Sequence, residues 1–146
     1  MGDNINNQFN RSNLNNPVFY FGDKKTPKHL TAPPLAPEVF LGRQDDLEEI
    51  HAKLFCTDNS LVFITGRGGV GKTTFASKYY HHYQKEYKHV AWIFSENGIM
   101  DSLLTLMGPS AMDLRFEDIL PNEQRLIQLL QVMGDLKSPC LLVIDN

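Results

Sequence analysis

The sequence predicts an α/β fold in which helices flank a parallel sheet, on three observations. Short apolar, β-branched runs recur at residues 60–65, 89–94 and 140–145. Stretches of helical periodicity lie before and between them, and strands alternating with helices in this way need crossover connections, which make the sheet parallel. Third, a glycine-rich loop joins the first run to a helix, at the end of the strands where an open parallel sheet receives its ligand.

Taken in order, the first 16 residues contain seven asparagines, which favour turns over helix. Val18-Phe19-Tyr20-Phe21 is a short β-prone run closed by Gly22-Asp23. Pro27, Pro33, Pro34 and Pro37 follow closely and predict an extended, semi-stiff connector. Residues 1–37 thus form an irregular Asn/Pro-rich leader, read either as disordered or as a small strand-forming appendage that docks or self-associates. From Glu38 to Asn146 the texture is that of a packed domain. Leu47, Ile50 and Leu54 recur at helical spacing behind Gln44-Asp45-Asp46, acidic residues suited to a helix start. Residues 60–65 (Ser-Leu-Val-Phe-Ile-Thr) predict a buried strand. A helix is expected over 71–83, a second buried strand over 89–94, and a helix over 99–107 stopped by Gly108-Pro109. The helix expected over 122–136 gathers Leu126, Leu129, Leu130 and Met133 on one face, and Pro139 admits a last strand over 140–145.

Composition narrows the function. Apolar residues make up 42% and charged residues 21%, enough to collapse around a core. With 14 basic against 17 acidic side chains, the charge of -3 argues against a coat for nucleic acid or anionic membrane. The longest apolar runs, such as Leu141 to Ile144, fall far short of the ~20 residues of a spanning helix. Met1 leads into polar sequence without the apolar centre of a secretion signal, and Cys56 and Cys140 are too few for a disulfide framework. A reducing, cytoplasmic setting is expected.

Gly66-Arg67-Gly68-Gly69-Val70-Gly71-Lys72-Thr73 fits the phosphate-loop pattern of glycine, any four residues, then Gly-Lys-Ser/Thr. At average composition a match arises by chance in roughly 1 in 200 chains of this length, and the strand-loop-helix setting makes chance rarer still. The glycines let backbone N–H groups turn toward an anion, and the following helix aims its unpaired amides and positive dipole end at the same place. Lys72 adds a cation for the outer phosphates, and the Thr73 hydroxyl is suited to ligate Mg²⁺. A glycine-rich turn with a surface lysine is the plainer alternative. Leu141-Leu142-Val143-Ile144-Asp145 delivers a carboxylate to the carboxyl end of a strand, where it can orient Mg²⁺, although buried strands also end in Asp simply to turn.

With both motifs placed, the chain resembles the STAND class of signalling NTPases and, within it, the NB-ARC nucleotide-binding domain. Val39-Phe40-Leu41-Gly42-Arg43 ahead of a helix, Thr65-Gly66 through Thr74, and Leu141 through Asn146 carry the resemblance, which covers residues 38–146. It implies a phosphate-loop NTPase sheet with ATP or ADP and Mg²⁺ as ligands. Leu41, Gly42 and Arg43 would lie against adenine and ribose, and Gly66, Gly68, Gly69, Val70, Gly71, Lys72, Thr73 and Thr74 around the phosphates. Thr73 and Asp145 would hold the metal, and Lys72 and Asp145 would serve a slow ATPase. Proteins of this class rest with ADP, exchange it for ATP on a trigger, self-associate and activate an effector. The Asn-rich leader looks more like the bacterial members. The class usually continues into a further strand with a sensor arginine, then helical and winged-helix subdomains. Many members carry a second acid where this chain has Asn146. An N-terminal part of a longer protein, inactive in turnover by itself and with a sheet incomplete at its C-terminus, is therefore expected.

Two other functions fit less closely. The loop is one residue from the Lys-Gly-Gly-x-Gly-Lys-Thr of deviant-loop partitioning ATPases, with Arg67 in place of the lysine, but that family begins almost at its phosphate strand. A nucleotide-binding assembly scaffold without turnover is the third reading. His81, His82 and His89 have no acid or cysteine at metal spacing, and the His81-His82 pair reads as a solvated helix face; Tyr79, Tyr80, Tyr83 and Tyr87 read as packing and surface, Trp92 as core, and Lys85, Glu86 and Lys88 as a solvated loop.

Overall fold

A computed structural model describes residues 26–55, 60–106, 108–136 and 139–146. The β-prone run at 18–21 lies outside them. The helices are α1 (Gln44–Phe55), α2 (Lys72–Tyr83), α3 (Ile99–Leu106), the single turn α4 (Gly108–Ala111) and α5 (Asn122–Gly134). The strands are β1 (His89–Phe94) and β2 (Cys140–Asp145). They pair in parallel, in step from His89↔Cys140 to Phe94↔Asp145.

β1 is the centre of the fold, and its pleat explains the layers. Successive side chains point to opposite faces of a strand. Ala91 and Ile93 pack with Leu103 of α3 and Leu129 and Val132 of α5. Val90 and Trp92 face the other way, onto Leu47 of α1 and Phe75, Tyr79 and Tyr80 of α2. Both faces are covered, which is why residues 89–94 read as a continuous apolar run rather than an alternating one. Trp92 is core, and Tyr79, Tyr80, Tyr83 and Tyr87 are all buried packing residues. Burial pushes all four phenols upward, with a hydrogen bond to Tyr87 adding to the shift at Tyr79. No described helix is long and apolar enough to cross a membrane.

Three expectations need correction. Residues 60–65 enter no sheet ladder among the described residues, and Leu61 and Phe63 are 77% and 79% exposed. Exposure still alternates with period two, the mark of strand-like patterning, but a strand exists only when a neighbour takes its backbone N–H and C=O groups. The only described ladder neighbour of β2 is β1. Second, Gly108-Pro109 opens α4 instead of only stopping a helix, because proline is tolerated in a first turn where its missing N–H is not needed. Third, His81 of the expected solvated pair is tied down: its ring N–H donates to the Pro34 carbonyl at 2.8 Å, as the His89 ring N–H does to that of Pro27, also at 2.8 Å. The proline-rich stretch itself is laid along β1 on the side away from β2, with His29 bridging Val90 in parallel.

Candidate nucleotide site

The phosphate loop ends on Gly71, which caps α2 at φ 83°, ψ 29°. Glycine enters this left-handed region freely, whereas other residues are strained there. The first helical bond runs from Phe75 N–H to Gly71 C=O at 2.9 Å. No side chain caps α2 and none of its own first-turn residues is acidic, which suits the amides and dipole at its start to an anion. Lys72 Nζ donates to the carbonyls of Gly66 and Arg67, at 3.0 Å each, and so spans the loop from helix to mouth.

Asp145 reaches the loop from β2. Thr73 Oγ1 donates to Asp145 Oδ1 at 3.0 Å, joining residues 72 positions apart. The end of β2 is itself fixed, because Ser95 N–H donates to the Asp145 carbonyl at 2.8 Å. A hydroxyl and a carboxylate side by side are hard oxygen donors of the kind Mg²⁺ takes, together with phosphate oxygens and water. No group of three or more His, Cys, Asp or Glu that could hold a metal ion is found among the described residues.

The segment ahead of α1 meets the loop through one residue that the sequence reading passed over. Phe75 follows Thr74 and is 1% exposed. The Arg43 guanidinium lies 4.5 Å above its ring centroid, and the Phe40 ring sits 6.2 Å away at 50°. Arg43 Nε also donates to Asp46 Oδ2 at 2.9 Å. Gly42 and Arg43 take successive left-handed conformations, φ 70° and 59°. At Gly42 a Cβ would meet nothing within 4 Å, so the conformation rather than space calls for glycine. For Arg43 the conformation is strained, and the ion pair with Asp46 and the stacking on Phe75 hold it. The structure thus sets residues 40–43 on the first turn of α2, leaving Leu41 exposed. The only sequence signal for Phe75 was an apolar position in an amphipathic helix, which says core and nothing more.

Arg67 is exposed and gives the loop only its carbonyl. Arg67→Ala is accordingly expected to keep ADP affinity within about twofold, as surface substitutions do. Calorimetry and sedimentation check this. Loss of both self-association and turnover in the whole protein would instead give Arg67 the part of the lysine that reaches across deviant-loop ATPase dimers.

A parallel pair of strands with β1 covered on both faces, a phosphate loop opening a helix and an acid at the end of β2 define a phosphate-loop nucleotide-binding module. The chain belongs to the NB-ARC family: the NB-ARC domain matches residues 43–146. It is therefore a phosphate-loop NTPase module of the NB-ARC type. A probable disease resistance protein of Arabidopsis thaliana is 29% identical over 118 residues, 74% of this chain and 13% of that protein. The chain spans only that small share of the relative's length. No solved structure matches the chain. Leu41 and Gly42 lie just ahead of the matched residues.

Proposed function

We propose that the chain binds ADP or ATP with Mg²⁺ and acts as the switch of a cytoplasmic signalling protein that self-associates when whole, without contacting nucleic acid or membrane. The observation that carries this reading is the 3.0 Å bond between Thr73 and Asp145 at the mouth of the phosphate loop. Phosphates settle on the backbone amides from Gly66 through Thr74, and Lys72 exchanges its two carbonyl partners for phosphate oxygens of higher charge. Thr73 and Asp145 hold the cation, and bound Mg²⁺ supplies charge neutralisation between the outer phosphates. The backbone of Leu41, Gly42 and Arg43 meets the base and ribose.

Lys72 and Asp145 are the residues on which a slow ATPase in the whole protein would depend. Asn146 is neutral and cannot take a proton from an attacking water, so turnover by residues 1–146 is expected near background. A competition experiment tests the base assignment: ATP should displace bound ADP well ahead of GTP. Equal displacement by GTP would remove residues 41–43 from the base site. Phosphate release from the whole protein separates the switch from a scaffold that binds without turnover.

A further inference from the structure

Two polar side chains are buried among the described residues, Thr31 at 9% and Ser77 at 4% exposure, and both are spent on one feature. Residues 27–35 run along the outer edge of β1 and then across α2. At Val90 the pairing is ordinary: its N–H donates to Lys28 C=O at 2.8 Å, and its C=O accepts from Leu30 N–H at 2.9 Å. Two residues further along β1 the backbone of this segment no longer pairs with the strand. A single hydroxyl replaces it. Thr31 Oγ1 accepts from Trp92 N–H at 2.7 Å and donates to Trp92 C=O at 2.8 Å, satisfying both groups of that residue. The segment then turns onto α2, where Ser77 Oγ donates to Leu35 C=O at 2.6 Å and His81 Nε2–H donates to Pro34 C=O at 2.8 Å.

Ser77 sits mid-helix, where a serine usually turns back onto its own helix or to solvent. Here it reaches across to another segment. Only residues 36–39 separate the Leu35 anchor from Phe40, which packs on Phe75. With both ends tied to α2, residues 36–43 form a short closed loop with little freedom left to lose; with Leu35 released, the same residues hang from one end only.

We propose that residues 27–35 are a strap, and that Thr31 and Ser77 are positioning residues which hold residues 41–43 over the first turn of α2 for the nucleotide base. This rests on the adenine-nucleotide reading above. The strap also couples the N-terminal side of the chain to the phosphate-loop helix, because a pull on residues 27–35 is felt at Ser77, one turn beyond Thr73.

The test uses the 146-residue chain and its Ser77→Ala variant, a change that favours helix and so keeps α2. Thr31→Val removes the second hydroxyl, and Thr31→Ser restores it. Nuclear magnetic resonance of arginine-labelled protein reads the upfield shift that the Phe75 ring imposes on Arg43. Calorimetry reads ADP and, as a probe without a base, tripolyphosphate. The strap predicts that Ser77→Ala and Thr31→Val lose the Arg43 shift and bind ADP about fivefold more weakly, a typical loss for one hydrogen bond. Tripolyphosphate affinity stays unchanged and Thr31→Ser behaves as wild type. An Arg43 shift that persists, an unchanged ADP affinity, or equal losses for ADP and tripolyphosphate would each overturn the proposal. Wild-type protein that binds ADP no more tightly than tripolyphosphate would overturn the base assignment instead, and the Arg43 shift alone would then decide the strap.

Discussion

Lys72→Ala should abolish measurable ADP binding while the protein stays folded. Lys72 is the one cation that both the loop spacing and the structure place across the phosphate mouth, 3.0 Å from the carbonyls of Gly66 and Arg67. A charge-assisted contact is worth ~1.5–3 kcal/mol. An ammonium shared between two phosphates makes at least two, so the affinity should fall by at least about 100-fold. The fold should tolerate the change, because Lys72 packs in no core cluster and its carbonyl partners lie in an exposed loop. Alanine also suits the start of α2. Calorimetry with Lys72→Ala and wild type decides the matter, with a melting curve as control. Unchanged ADP affinity would overturn the phosphate-loop assignment.

Lengthening the chain should have an effect of similar size on stability. The described ladder of β2 lies on one edge, against β1, while residues 60–65 belong to no ladder among the described residues. Resemblance to the NB-ARC domain puts a further strand between the two. Its arrival would pair the backbone on both sides and cover Leu61, Phe63, Leu142 and Ile144, all of them exposed now. Covering one such side chain is worth ~1.5–3 kcal/mol, less the ordering of the added strand. A protein carrying about 150 further encoded residues should therefore melt at least about 5 °C higher than the 146-residue chain. It should also release phosphate above background, because charge developing on the transferred group would be better compensated. Equal melting and equal turnover would show that residues 60–65 need no further neighbour and that the expected strand does not exist.

The two predictions draw on different kinds of information. The loop at 66–73 and its lysine are local facts, legible because the phosphate-binding geometry is encoded by consecutive residues. The same holds for α2, β1, α5 and β2, whose bounds follow local periodicity and fall within a residue or two of expectation. Residues 60–65 carry an equally strong strand pattern, and that pattern was misleading in this chain. β-structure is completed by a partner, and a partner is not written in the segment itself.

The site divides along the same line. Thr73 and Asp145 each belong to a short motif legible in the sequence; their approach to 3.0 Å is a tertiary outcome, since α2 and β2 share one core cluster. Phe75 was not readable, since nothing in an apolar helical position announces that an arginine from another segment will stack on it. Nor was the strap. Four closely spaced prolines foretold an extended run but not the edge of β1 on which it lies.

By itself, then, the sequence determined the phosphate loop, the helical and β-prone segments and the α/β class, all properties of residues near one another in the chain. Only the tertiary structure decided which strand β2 would pair with, what would cover the outer edge of β1, and where Thr31, Ser77 and Phe75 would spend their side chains. Those outcomes depend on backbone groups finding donors and acceptors far away in sequence, and the folded chain alone brings such partners within hydrogen-bonding distance.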